Sequence, residues 1–236
     1  MHPLDNVIWQ ALNTRQATFA ESTGPARRFL PEVSSLAGFG EASPESYEAL
    51  AKLSEVEAAI RLFLDKPYED RPGWNSMGGA LLLQMVLEHG NGNSNGNAAS
   101  TNGGAVVELV ELNATNAPEM VELATLTNPG PFNQRTHELG TYLGIFCEGK
   151  LVALAGERLK VPGYTEVSAV CTHPEHLGKG YARILMTEVM RRIRERGETP
   201  FLHVRENNLR AIELYRRLGF RERTRVHLAV LRKDLS

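Results

Sequence analysis

From about residue 105 onward, the apolar positions of the chain change period repeatedly. Val106 to Leu112, Thr141 to Cys147, Leu151 to Lys160, Thr165 to Thr172 and Phe201 to Val204 are short apolar runs, rich in β-branched residues and separated by turn residues, which predicts five strands. Two longer stretches keep helical spacing instead. Ile184, Leu185, Val189 and Ile193 predict a helix over 181–196, and Leu209 to Leu218 predicts a second one closed by Gly219 in a C-cap position. An earlier helix is expected to start at Asn116-Ala117-Pro118-Glu119, a capping-box-like run, and to end near Asn128-Pro129-Gly130. Glu148-Gly149-Lys150 reads as a hairpin turn, and Phe220 onward with Val226 to Leu231 is expected to form a final hairpin.

The N-terminal part has fewer signals. Ser43 followed by Pro44 is an N-cap with a first-turn proline and starts a helix expected to run through Leu53, while Ala58 to Leu64 and Ala80 to Leu87 read as buried strands. Residues 89–104, rich in Asn, Gly and Ser, contain almost no apolar side chain to offset the entropy of ordering and read as a linker. The expected organisation is therefore an N-terminal α/β half over 1–88, the linker, and a C-terminal α/β domain over 105–236.

A chain of 236 residues that is 42% apolar can bury a large core or two small ones, and no stretch is apolar enough to span a membrane. The first residues lack a basic segment followed by an apolar run, so the expectation is a cytoplasmic globular protein with no membrane partner. Cys147 and Cys171 both fall inside expected strands, which suits free buried thiols in a reducing compartment. The net charge of -2 divides into -5 over residues 1–100 and +3 over 101–236, so the second part is the one suited to an anionic ligand. Its arginines alternate with Glu188, Glu195, Glu213 and Glu222, the pattern of solvated helix faces, and no nucleic-acid partner is expected.

The stretch from Val170 to Arg183 reads as strand, glycine loop, helix. Backbone N–H groups in a helix's first turn have no intrahelical partner and carry the positive end of the macrodipole, and Gly178 and Gly180 would let them approach phosphate oxygens, with Lys179 adding charge. The loop matches neither the nucleotide P-loop nor the dinucleotide fingerprint, and an ordinary strand-to-helix turn explains it equally well. Cys171, His173 and His176 are metal-ligand types, but no fourth ligand is evident nearby and no metal is expected. An acyl-cysteine at Cys171 served by His173 is disfavoured because Pro174 follows the histidine.

The order of elements, with the glycine loop after the fourth strand of the C-terminal part, resembles the GNAT superfamily of acyl-CoA-dependent N-acyltransferases. Leu177-Gly178-Lys179-Gly180-Tyr181-Ala182 matches that family's Arg/Gln-x-x-Gly-x-Gly/Ala loop at Gly180 and Ala182, and departs from it at Leu177. A second block, Asn-x-x-Ala-x-x-x-Tyr-x-x-x-Gly-Phe, stands complete at Asn208, Ala211, Tyr215, Gly219 and Phe220. Residues 1–88 more loosely resemble the degenerate N-terminal half of the branch near glycine N-acyltransferase. The resemblance implies a mixed, mostly antiparallel sheet with a splayed parallel strand pair. It implies acetyl-CoA as co-substrate, with its pyrophosphate on Gly178, Lys179, Gly180, Tyr181, Ala182 and Arg183. The pantetheine would lie along Val170, Cys171 and Thr172, opposite Asn208.

For the chemistry, the resemblance places Tyr215 beside the leaving thiolate, and Tyr215 also completes an apolar stripe with Ile212 and Leu218. A lysine-like amine near pKa 10.4 is about 3.4 units above pH 7, and neutralising it costs roughly 4.6 kcal/mol, which calls for a base. Glu166 is the first candidate, with Glu157 in reserve, and Glu166 reads equally as a structural acid at a strand end. Phe132, Thr136 and His137, in the loop before the second strand, are the expected acceptor contacts. The expected acceptor is a small-molecule amine or amino acid, with a peptide amine second, and a CoA-binding sensor without turnover is the reading from another class. Monomer and homodimer both remain open.

Overall fold

Capping chemistry places the helices where the side chains allow it. Ser43 Oγ accepts from Ser46 N at 3.2 Å ahead of Pro44 and opens the helix Pro44–Leu53. The helix Ala117–Thr127 closes on Asn128 in the left-handed region. Its capping box lies one step earlier than expected: Asn113 and Asn116 bond each other's backbone across a short 3-10 turn, and Asn116 does not cap the helix itself.

The computed structural model describes residues 2–88 and 107–234, so the expected linker 89–104 and the start of the expected strand at Val106 lie outside the described residues. In chain order the elements are α1 (Val7–Asn13), β1 (Ala20–Thr23), β2 (Ala26–Phe29), β3 (Leu36–Phe39), α2 (Pro44–Leu53), β4 (Ala59–Leu64) and β5 (Trp74–Leu87). There follow β6 (Val110–Leu112), α3 (Ala117–Thr127), β7 (Tyr142–Cys147), β8 (Lys150–Val161), β9 (Tyr164–Thr172), α4 (Tyr181–Glu195), β10 (Thr199–Arg205), α5 (Leu209–Arg217) and β11 (Phe220–Lys233). Among the described residues no helix is long and apolar enough to cross a membrane.

All the strands join one sheet, in the order β1-β2-β3-β4-β11-β5-β10-β9-β8-β7-β6. Its pairs are antiparallel except β3 with β4 and β9 with β10, which is the mixed, mostly antiparallel α/β architecture expected from the sequence. The expected final hairpin is not there. Phe220 to Lys233 is one strand with two register shifts, and its neighbours are β4 and β5 from the N-terminal part. Between the two expected arms lies a bulge at Glu222 to Thr224 and no turn. β5 lies between β10 and β11, so the sheet runs without a break from the N-terminal part into the C-terminal part.

Helices cover the sheet locally. The apolar faces of α4 and α5 bury Leu185, Met186, Val189, Ile193, Ile212 and Tyr215 against β5 and β7 to β10. α3 packs on β8 and β9 through Met120 and Leu123. On another side α1 inserts Val7, Ile8, Ala11 and Leu12 beside Leu159, Val161 and Phe201. β8 is irregular between Glu157 and Lys160, and the side chain of buried Gln16 repairs it, donating from Nε2 to Arg158 O at 2.7 Å and accepting from Lys160 N at 3.1 Å.

Candidate active site

The parallel strands β9 and β10 pair only where they begin, at Thr199 with Tyr164, Pro200 with Thr165 and Phe201 with Glu166. Beyond that point β9 stays with β8 while β10 stays with β5 as far as Arg205, so the two strands part. Ala169, with φ at 53°, marks the bend in β9. The gap is a cavity of about 460 Å³ whose walls include Val167 to Thr172 of β9 and Leu202 to Arg205 of β10, with Asn208 and Tyr215 at one end. Strand edges facing a gap carry backbone N–H and C=O groups that a ligand's amides can pair with.

The glycine loop follows β9 directly. Gly178 and Gly180 have φ near 81° and 80°, conformations a side chain adopts only with strain, and a Cβ built on either would meet no protein atom within 4 Å. Gly180 is the N-cap of the fifteen-residue helix α4, and the loop is exposed, so the free N–H groups of the first turn face open space. Lys179 and Arg183 stand exposed beside them. His173 and His176 serve the loop: His173 Nδ1 accepts from Glu175 N at 3.3 Å, and His176 Nδ1 lies 3.2 Å from Lys179 Nζ. Tyr181 packs at the edge of the main core, its hydroxyl 3.6 Å from Cys147 Sγ.

From α5, Tyr215 lines the cavity. Burial raises its phenol to about 12, and its hydroxyl bonds to no protein group among the described residues. Asn208 lines the same end while its Oδ1 caps α5 by accepting from Ala211 N at 3.2 Å. Cys171 also lines the cavity, but burial pushes its thiol up to about 11, so it is not a thiolate near neutral pH.

Residues 142–228 match the FR47-like protein family model. A solved structure from Novosphingobium aromaticivorans, assigned to the GNAT family of acetyltransferases, is 34% identical, with 99% of this chain and 100% of that one covered and a TM-score of 0.85. The chain belongs to the GNAT superfamily of acyl-CoA-dependent N-acyltransferases. Two more distant structures share the fold, each over nearly the whole chain. The GCN5-related N-acetyltransferase from Kribbella flavida is 16% identical, covering 98% of this chain and 97% of that one with a TM-score of 0.58. The GNAT-family acetyltransferase from Colwellia psychrerythraea is 15% identical, covering 99% and 91% with a TM-score of 0.53. No curated protein matches the chain, and none of these structures carries the narrower glycine N-acyltransferase name.

Against this GNAT frame, the expected base is in the wrong state and the wrong bonds. Glu166 is fully buried, and Arg158 grips it with both arms of a fork, Nε to Oε2 and Nη2 to Oε1, each at 2.8 Å. Leu159 N donates to Oε2 at 3.3 Å, and His203 Nδ1 lies 2.7 Å from Oε1. Burial alone would raise the carboxyl, but the Arg158 ion pair and hydrogen bonds with Arg158 and His203 hold it down to about 2. A carboxylate so held does not take a proton from an amine near neutral pH. Glu157 is no substitute, because it is buried outside the cavity between Arg196 at 2.7 Å and Lys160 at 2.8 Å.

The acceptor loop is divided in the same way. Phe132 does reach the cleft, in a second cavity of about 470 Å³ that shares Arg61, Asn128, Gly130 and Pro131 with the first. It stands edge-on to Tyr142 at 5.5 Å, and Tyr142 is seated over Gly156, where a Cβ would come within 2.2 Å of the ring. Thr136 instead ties the loop to the N-terminal part, donating to Val33 O at 2.6 Å and accepting from Asn133 N at 2.7 Å. His137 bonds Gln134 O at 3.0 Å and lines neither cavity.

The cleft residues that the sequence reading missed are Arg61, Phe63, Arg158 and His203. Gln84 Nε2 donates to Leu4 O at 3.0 Å and lies 3.1 Å from His203 Nε2, while Gln84 Oε1 accepts from Arg223 Nη1 at 2.8 Å. With the amide oriented this way His203 Nε2 accepts, which leaves Nδ1 to donate to Glu166. The one signal available for Arg61 was a charged residue at an alternate position of an apolar strand, Ala59-Ile60-Arg61-Leu62-Phe63-Leu64.

Proposed function

We propose that the cleft between β9 and β10 binds acetyl-CoA and carries acetyl transfer to a primary amine, with a small molecule or amino acid as acceptor. One observation carries this reading: a strand gap with open backbone edges ends on one side at an unobstructed glycine loop and on the other at Tyr215, a buried side chain whose hydroxyl bonds no protein group among the described residues. The residues present fit the co-substrate. The N–H groups from Gly178 to Ala182, with Lys179 and Arg183, are suited to its phosphates, and the edges of Val170, Cys171, Thr172 and Asn208 to its amides.

Bound acetyl-CoA supplies a thioester whose acetyl carbon bonds to the amine nitrogen as the C–S bond breaks, the pair going to sulfur and the amine proton to sulfur or solvent. Tyr215 then acts as a hydrogen-bond donor more than as a proton donor. Its phenol, near 12, is about 3.5 pH units above an ordinary thiol, so complete transfer to the thiolate would cost roughly 5 kcal/mol. Among the described residues no carboxylate lines the cavity to serve as base. Instead Arg61, Arg158 and Arg205 line it and disfavour an ammonium there, which lowers the amine's affinity for its proton and leaves water to remove it.

The test is thiol release from acetyl-CoA across a panel of amines, with wild type and Tyr215→Phe. Wild type should release thiol only when amine is present. The Phe variant should lose about tenfold or more in kcat with an unchanged melting temperature, since the lost hydroxyl has no protein partner. Amine-independent release, or none with any amine, contradicts transfer. An unchanged kcat reduces Tyr215 to packing.

A further inference from the structure

The walls of the cleft carry cations without matching acids. Arg61, Arg158 and Arg205 line the cavity between the strands, Arg28 joins Arg61 in the adjoining one, and among the described residues no Asp or Glu lines either. Two of these charges are already answered, Arg28 by Glu21 at 2.6 Å and Arg158 by Glu166 at 2.8 Å. Arg61 is different. Its guanidinium's one hydrogen bond among the described residues runs from Nη1 to Ser35 Oγ at 2.7 Å, and no carboxylate among them pairs with it. Burial, together with the positive charge of Arg205 and Arg158, weakens its hold on its proton. Holding a half-buried guanidinium against a neutral hydroxyl and other arginines is unfavourable unless a ligand completes the site.

The fold places this cation deliberately toward the cleft. In β4 the alternate residues Ile60, Leu62 and Leu64 turn into the core under α2, so Arg61 and Phe63 take the opposite face, where Phe63 packs on His203 at 4.7 Å between ring centres. The bulge in β8, bonded by Gln16, brings Arg158 to the same wall, and its Nη1 makes no hydrogen bond to protein among the described residues. The phosphates of acetyl-CoA are not the natural partner. Arg158 is anchored at Glu166, and the six residues of β9 from there to Thr172 separate it by roughly 20 Å from the start of the glycine loop.

We propose that Arg61, with the free edge of Arg158, binds a carboxylate of the acceptor, so that the acceptor is an amine carrying a carboxylate, an amino acid or a close analogue. This rests on the transferase reading above and narrows it. The planar fork of a guanidinium matches a carboxylate through two parallel N–H donors, and a neutral amide or hydroxyl would leave the charge unanswered. The same field that holds the carboxylate disfavours the protonated amine, so one group of residues both orients the acceptor and readies its nitrogen.

The experiment compares alanine, leucine and phenylalanine as free acids, as primary amides and as the corresponding decarboxylated amines. Each is assayed with wild type, Arg61→Gln and Arg61→Lys, with acetyl-CoA affinity by calorimetry and melting temperature recorded for each protein. Wild type should favour the acids over the amides by about tenfold or more in kcat/KM, and Arg61→Gln should erase that preference by lowering the acids at least about tenfold more than it lowers the amides and the decarboxylated amines. Arg61→Lys should keep part of it, because charge remains and the fork is lost. Should Arg61→Gln not fold, propionate decides, since it must inhibit wild type competitively against the amine and inhibit the Lys variant less. Equal use of acids and amides by wild type, an acid preference that survives Arg61→Gln, or acetyl-CoA binding with no acid acetylated would overturn the carboxylate site and leave the transferase intact. Absence of acetyl-CoA binding by wild type would overturn the transferase reading, and this inference with it.

Discussion

Glu166 shows how neighbours decide what a carboxylate can do. Its position early in the strand that leads to the glycine loop suggested a base, yet the fork of Arg158, the amide of Leu159 and the ring of His203 occupy both oxygens. Replacing it with Gln leaves Arg158 buried without its counter-charge, and we expect a loss of about 3 to 5 kcal/mol at neutral pH. The pH dependence has a definite sign. The folded carboxyl titrates at about 2, below its ordinary 4.5, so its contribution is complete above about pH 4.5 and is lost as pH falls toward 2. Urea unfolding of wild type and Glu166→Gln at pH 7, 4 and 3 should therefore show a stability gap that narrows with acid. An unchanged stability, together with a kcat loss that recovers at high pH, would restore the base role instead. At this scale the motif residues Gly180, Asn208 and Tyr215 were legible because a short local pattern carries them. Arg61, Arg158 and His203 were not, because their meaning comes from strands far apart in the chain that meet only across the folded cleft.

The elements with local signals were legible, and those set by distant partners were not. Ser43 and Pro44 announced α2, and the three- and four-residue steps of Ile184, Leu185, Val189 and Ile193 announced α4. Nothing in residues 2–39 showed α1 or β1 to β3, which are short and depend on packing against β8 and α2. Phe220 onward with Val226 to Leu231 read as a hairpin, whereas β11 is one strand that carries a bulge against β5. The bulge in β8 depends on a residue 142 positions away: Gln16 satisfies the carbonyl of Arg158 and the amide of Lys160. Gln16→Ala would leave both backbone groups buried and unpaired, at about 1 to 3 kcal/mol each, and would loosen the presentation of Arg158. A fall of several degrees in melting temperature, with a higher KM for the amine and an unchanged affinity for acetyl-CoA, is the expected result, and an unaltered melting temperature would mean that water replaces the side chain.

Across the whole molecule, one sheet joins what the Asn/Gly/Ser-rich stretch divides in sequence. β5, encoded before that stretch, occupies the place beside β10, and β4 contributes Arg61 and Phe63 to a cleft otherwise built by β9, β10 and α5. The N-terminal part thereby supplies one wall of the site, while the C-terminal part supplies the strand gap, the glycine loop and Tyr215. On the proposed reading acetyl-CoA binds in this gap, with its phosphates at the loop before α4. Calorimetric titration of wild type and Gly180→Glu with acetyl-CoA tests it most directly. A Glu side chain at φ near 80° is strained and brings a carboxylate to the place proposed for the phosphates, while no protein atom lies in its way. Wild type should bind saturably and the variant about a hundredfold or more weakly, with the fold retained; equal affinity in the two proteins would rule out this site for acetyl-CoA.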